Sequence, residues 1–223
     1  MRKVYYNLMR KLTLILGLSA ASSLAPMSGT AQQPAGLRAT SLESHEGMTI
    51  TAQPWTEPSL YREKFPKKSP FASGIVAVQV AFRNDSDESV KVDLDRIRLT
   101  VQIEEENRQQ LEPMSAEEVA NETLIPGRKD PTTTRKRFPF PTGAPKTGRD
   151  KTWYELQKNA ENAAVPSSII APHSTVQGLL YFDLQGQFDL LGTAHLYVPN
   201  LLVLEKNRSL LYFDIDLGRP GSI

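Results

Sequence analysis

In four stretches of this chain the apolar side chains fall at every second position. Val76, Val78, Val80 and Phe82 form the first set, with Ala77, Gln79, Ala81 and Arg83 between them. Val90, Val92 and Leu94 then alternate with Lys91, Asp93 and Asp95, and beyond Asp95-Arg96 the phase flips to Ile97, Leu99, Val101 and Ile103. Period two is the pattern of a strand with one face in a core. A one-residue slip sends the apolar set to the opposite face, so a bulge or a crossover between sheets is expected at Asp95-Arg96. Val176, Gly178, Leu180, Phe182 and Leu184 share a later face, and Leu211, Phe213, Ile215 and Leu217 close the chain. Shorter runs at Met48–Ala52 and His195–Val198 read as further strands. The likeness of "LLYFDLQG" at 179 to "LLYFDIDLG" at 210 reads as two strands meeting the same demand rather than as a duplication.

Asn84-Asp85-Ser86-Asp87-Glu88 lies between two of these patterns. Asn, Asp and Ser favour turns, because their side chains bond nearby backbone and tolerate left-handed dihedrals. The segment therefore reads as the turn of a β-hairpin. A weak cation site using Asp85, Asp87 and Glu88 is the alternative, although the central Gly of a helix-loop-helix calcium loop is missing.

From 104 to 165 the period changes. Ser115-Ala116-Glu117-Glu118 matches a capping box and opens a short helix with Val119, Leu124 and Ile125 as a partial apolar face. Thr152-Trp153-Tyr154-Glu155 is a second match, followed by Trp153, Leu156, Ala160 and Ala163 at helical spacing until Pro166. Between the two runs lies a Pro-, Thr- and Gly-rich segment, 128–151, which carries no pattern for a regular element. Residues 56–70, with Pro58, Pro66 and Pro70, read as a connecting loop.

The N-terminus reads as an export signal, residues 1–31. Arg2, Lys3, Arg10 and Lys11 precede the short apolar run Leu12–Leu18, and small residues lead to a cut after Ala31, or alternatively after Ala25. The run is shorter than the roughly 18 apolar residues that a membrane span needs. Residues 32–46 read as a flexible lead-in and 47–223 as one domain. Export places the mature chain in the periplasm or outside the cell, with no transmembrane segment left after cleavage.

The chain has no cysteine, which excludes disulfides, thiolate metal sites and a cysteine nucleophile. It carries 26 Lys and Arg against 25 Asp and Glu, and loss of the four N-terminal cations leaves 22 against 25. That mild acidity does not fit a nucleic-acid binder. His45, His173 and His195 are too scattered to suggest a metal site. Ser174 beside His173 lacks the Gly-x-Ser-x-Gly elbow of a hydrolase, and no Gly-rich phosphate motif occurs. No catalytic residue, metal or cofactor is assigned.

Two binding candidates remain. Segment 128–151 holds eight Lys and Arg against Asp130 and Asp150. Within it, Arg135-Lys136-Arg137 runs directly into Phe138 and Phe140, and cations beside aromatics suit an anionic cell-wall polymer, a lipid headgroup surface or an acidic envelope protein. If the two "YFD" strands are neighbours, Tyr181, Asp183, Tyr212 and Asp214 would form an aromatic and acidic stripe on an outer face.

The stretches "FRNDSDESV", "VDLDRIRLTVQ" and "IIAPHSTVQGLLYFDL" resemble those of small exported immunoglobulin-like β-sandwich domains of largely unknown function. The likeness spans Met48–Ile103 and Ile169–Leu217 and lies in strand and turn cadence, without catalytic motifs. It implies a mainly β, immunoglobulin-like antiparallel sandwich. The two helices and basic loop of 104–165 depart from the simple group as an insert, so no role of that insert is inherited. The expected function is a non-catalytic exported binding or assembly module. The alternatives are a structural subunit of an envelope complex, or an enzyme with an unrecognised site.

Overall fold

The computed structural model describes residues 40–104, 107–124 and 151–218. Its first element is a hairpin. β1 (Ser41–His45) pairs antiparallel with β2 (Met48–Pro54), from Ser41↔Ala52 to His45↔Met48. Glu46 and Gly47 between them have φ of 49° and 80°, and two left-handed central residues give a turn whose twist matches that of the flanking strands. The flexible lead-in expected over 32–46 is thus a strand from Ser41 onward. Periodicity gave no sign of it because β1 carries one apolar residue, Leu42, and that side chain faces outward. Its carboxylates tie it down instead: Glu43 and Glu46 each accept a backbone N–H at 2.6 Å, from Asp214 and Leu211. The His45 ring also stacks on Phe213 at 3.8 Å.

A short helix, α1 (Pro58–Tyr61), and a 3₁₀ turn at Pro70–Ser73 lead to β3 (Ile75–Asn84). The supposed connecting loop therefore contributes structure, and its Tyr61 and Phe65 are buried. The chain continues through β4 (Val90–Lys91), a 3₁₀ turn at Leu94–Arg96, β5 (Arg98–Glu104) and β6 (Asn107–Leu111). Two helices follow, α2 (Ala116–Leu124) and α3 (Lys151–Ala163). The last strands are β7 (Ile169–Ile170), β8 (Ser174–Asp183), β9 (His195–Val198), β10 (Leu202–Val203), β11 (Arg208–Ser209) and β12 (Phe213–Asp216).

The fold is mainly β, with three antiparallel four-stranded sheets ordered β1-β2-β3-β8, β11-β10-β4-β7 and β12-β9-β5-β6. They surround one apolar core. Ile50, Val78, Val80, Phe82 and Phe182 enter it from the first sheet, Val90, Ile170 and Val203 from the second, and Leu99, Leu196, Phe213 and Ile215 from the third. The four long alternating stretches are strands over most of their length, but Ile103 and Leu211, expected to face inward, are 44% and 64% exposed, and Leu211 precedes β12. The expected phase change falls at the Leu94–Arg96 turn, where the chain passes from β4 in the second sheet to β5 in the third.

The first sheet is covered on its other face as well. Ile75 and Ala77 of β3 and Leu179 and Tyr181 of β8 point away from the main core into a second cluster, with Trp55, Tyr61, Phe65, Val119, Trp153, Leu156 and Ala160. Double burial explains why Ile75-Val76-Ala77-Val78 is continuously apolar, whereas Gln79, Ala81 and Arg83 further along restore the alternation. The capping box of α2 is complete. Ser115 Oγ accepts the Glu118 N–H at 3.2 Å, and Glu118 Oε2 accepts the Ser115 N–H at 2.8 Å. Thr152, by contrast, lies inside α3 and is no cap. Past α3 the backbone rounds the edge of β8, where Ala164 bridges to Leu179 and Val165 joins the main core. Gly178 makes that passage possible, because a Cβ there would collide with the backbone of Ala164 and Val165.

Segment 84–88 is a turn, but no hairpin. β3 pairs with β2 and β8, while β4 pairs with β7 and β10, so the turn carries the chain from one sheet to another. Asn84, 0% exposed, organises it. Its Oδ1 accepts the Ser86 N–H at 3.0 Å, and its Nδ2 donates to the carbonyls of Glu88 at 2.6 Å, Ile170 at 3.3 Å and Ala171 at 3.2 Å.

Replacing Asn84 by Ala leaves three carbonyls and an amide to find new partners, and a loss of about 2–3 kcal/mol in urea unfolding is expected. Asn84→Asp tests the donor alone. Burial against carbonyl oxygens raises that carboxyl's pKa above its unfolded value, so this variant is expected to be most stable at acid pH and to lose stability as pH rises. Equal stability of both variants and the parent between acid and neutral pH would refute this role for Asn84.

Candidate functional site

The sequence candidates do not come together. Arg135, Lys136, Arg137, Phe138 and Phe140 lie outside the described residues. The stripe of Tyr181, Asp183, Tyr212 and Asp214 does not form, because β8 pairs with β3 and β12 pairs with β9. Tyr181 is 2% exposed, and its hydroxyl donates to the Ala160 carbonyl at 3.2 Å. Burial raises its phenol pKa, as it does that of Tyr61, whose oxygen accepts the Ala77 N–H at 2.8 Å and whose hydroxyl donates to the Trp55 carbonyl at 3.1 Å. Asp183 accepts the Gln185 N–H at 2.9 Å and so belongs to a turn. Only Tyr212 and Asp214 stay at a surface, and they do so on the third sheet.

The acidic turn spreads its carboxylates over three partners. Asp85 meets Arg83 at 3.0 Å, Asp87 meets His173 at 2.8 Å and Glu88 meets Lys206 at 2.8 Å. His45 lies in its stack on Phe213, 3.6 Å from Glu43, and His195 Nδ1 is 3.3 Å from Asp214. Ser174 Oγ donates to the Ala171 carbonyl at 2.7 Å. Among the described residues no three His, Asp or Glu side chains converge to hold a metal, and no helix is long and apolar enough to cross a membrane.

Two open concavities carry the surface chemistry instead. The first, of about 330 Å³, lies between the Pro66-Lys67-Lys68 segment and α3. Leu156 forms part of its floor, and Lys67, Lys68 and Lys158 stand around it against one carboxylate, Glu155. Glu155 accepts a hydrogen bond from Lys67 and lies 3.9 Å from Lys151. The Lys67 bond is the main reason its carboxyl is held below the usual range, so it stays ionised and neutralises one of the lysines. α3 opens at Lys151, the last residue of the basic segment 128–151, whose other residues lie outside the described part.

The second concavity, of about 540 Å³, is the outward face of the third sheet. Antiparallel register sets its side chains in rows. Asp214 pairs with Tyr197, His195 pairs with Thr100, Thr100 pairs with Gln110, and Gln102 pairs with Arg108. Tyr212 lies beside Tyr197, with ring centroids 5.4 Å apart at 47°. The inward side chains of these strands, Leu99, Val101, Leu196 and Val198, build the main core, so the rows stand on a rigid support.

Neither concavity was predicted as such. The lysines of the first lie about 90 residues apart in sequence. The second was detectable only as the polar half of β5 and as the wholly polar "NRQQ" of β6.

No family model matches the chain, and no curated protein does. A solved structure described as a functionally unknown protein from Listeria monocytogenes EGD-e matches with 14% identity over 73% of this chain and 75% of that one, at a TM-score of 0.33. That likeness is too slight to assign a fold or an activity.

Tyr181→Phe removes one buried hydrogen bond and is expected to cost about 1 kcal/mol. Tyr61→Phe also leaves the buried Ala77 N–H unpaired and is expected to cost more. In alkaline difference spectra of the folded protein neither substitution should remove phenolate amplitude. A fall in amplitude would mean that these rings are at the surface.

Proposed function

We propose that this chain is a non-catalytic, exported binding or assembly module of the cell envelope. On this reading it is an immunoglobulin-like sandwich whose insert, α2, α3 and the basic segment between them, contacts an anionic partner. That partner is an acidic envelope protein or an anionic cell-wall polymer. The observation that carries the reading is the lysine groove. Lys67, Lys68 and Lys158 stand around an open concavity next to the start of α3, where a segment of strong positive charge joins the helix. Lys67 and Lys68 come from one part of the chain and Lys158 from another, and they add to one local field, although the mature chain as a whole is mildly acidic.

The turn segment 84–88 and the stretch to Glu122 hold twelve acidic and four basic side chains. In the described part many of these acids already have partners of their own, as with Asp85–Arg83, Glu88–Lys206 and Glu112–Arg98. Exposed pairs of this kind contribute about 0–1 kcal/mol each, so a polyanion competing for the lysines meets little resistance.

Exchanging Lys67, Lys68 and Lys158 together for Ser is expected to weaken binding to an anionic resin or to envelope extract by about two- to five-fold per lysine at low ionic strength. The difference should fade as salt screens the charges. Arg135, Lys136 and Arg137 exchanged for Ser should have a parallel effect, and Glu155→Gln, which frees Lys67, should strengthen binding. Unchanged recovery in all three variants at low salt would count decisively against an electrostatic partner.

A further inference from the structure

We propose that the outward face of the third sheet binds an uncharged oligosaccharide chain, at a site separate from the lysine groove. Three features of that face select this chemistry. The first is charge. Among the residues that line the concavity, Lys is absent and Arg108 and Asp214, one charge of each sign at opposite corners, are joined by Thr, Gln, His and Tyr, so the lining lacks the cluster of one sign that recruits a polyanion or polycation. The second is the kind of hydrogen-bonding group. Gln110 and Thr100 both donate and accept, Arg108 donates only, and the Asp214 side chain adds acceptor oxygens. Sugar hydroxyls are donors and acceptors at once, and a mixed set of this kind satisfies them in pairs. The third is the tyrosine pair. Tyr212 is 57% exposed, and its ring leans on Tyr197 at the end of the rows without being needed in the core. Such a ring offers a flat apolar surface to the C–H face of a pyranose and keeps a hydroxyl for its rim.

The shape agrees. Neighbouring strands stand about 4.8 Å apart and successive rows on one face about 7 Å apart, so sugar units laid across the strands meet polar side chains at regular intervals. At about 540 Å³ the concavity falls within the range of small-ligand sites. It is open along the sheet, which suits a chain passing through better than an enclosed small molecule. A protein partner fits less well, because protein interfaces are centred on apolar and aromatic residues depleted in charge. Here the tyrosines sit at one end, His195, Thr100 and Gln110 form the middle row, and Gln102 and Arg108 the far end.

Affinity electrophoresis in native gels containing xylan, hydroxyethylcellulose, dextran or pullulan tests the proposal on the mature protein. Retardation in at least one gel is expected. Measured as mobility relative to a gel without polysaccharide, Tyr197→Ala and Arg108→Ala should each reduce the retardation at least several-fold, while the Lys67, Lys68 and Lys158 triple Ser variant should be retarded as much as the parent. If Tyr197→Ala lowers the melting temperature, Tyr212→Ala and Gln110→Ala, which alter only exposed side chains, replace it. Absence of retardation in all four gels overturns the proposal, as does retardation insensitive to these face substitutions. Retardation abolished by the lysine variant would place any sugar binding in the other groove and would equally overturn it. Because the two surfaces use different residues and ligands of different charge, this result is independent of the anionic-partner reading.

Discussion

The ladder between β3 and β8 is the constraint on which the rest of the structure depends. Ten residue pairs join the two strands, from Ile75↔Asp183 to Asn84↔Ser174. At one end of the ladder both faces are buried, under Val76, Val78 and Phe182 on one side and Ile75, Ala77 and Tyr181 on the other. Burying a large apolar side chain contributes about 1.5–3 kcal/mol. The pairing is therefore held from two directions, and a register slip of one residue would exchange the contents of the two cores. The helices, whose apolar faces have nowhere else to go, are placed by that same double burial.

Where the chain leaves the ladder, single residues make the exit possible. At the Asn84 end, one amide side chain gathers carbonyls from the following turn and from the β7 region, and so fixes where the second sheet begins. On the β8 side, Gly178 lets the segment after α3 wrap the strand edge. At the opposite margin of the first sheet, β1 reaches β12 through carboxylates that accept backbone N–H groups. This covers backbone donors of Leu211 and Asp214 along the β12 margin, where an open edge is the usual hazard.

The two concavities follow from that arrangement and differ in their physics. The groove beside α3 concentrates lysines whose side chains are largely in water, so its contribution to binding is long-ranged, salt-sensitive and weak per contact. The concavity on the third sheet is lined by one cation and one carboxylate, Arg108 and Asp214, among uncharged polar groups. Its groups are oriented by strand register on a packed support, so the sugar binding proposed there would draw its selectivity from the match of donors, acceptors and rings. One surface suits capture by charge, and the other suits recognition by shape and hydrogen bonding.

Alternation alone placed β3, β5, β8 and β12, and the phase change at Asp95-Arg96 already pointed to a change of sheet, because side-chain direction along a strand is a local property. The capping box of α2 was legible for the same reason: its hydrogen bonds close within four residues. Which strands become neighbours was not legible, since pairing is decided by contacts between distant segments. That is why the two "YFD" strands, alike in sequence, end in different sheets, with Tyr181 in a core and Tyr212 in water. It is also why Asp87 faces His173 instead of a cation, and why β1, polar and short, forms at all. Local patterning settled the class of the long strands and of the two longer helices, and most of their inward faces. Only the closing of three sheets over a shared interior decided which polar side chains were left facing one another on the outside.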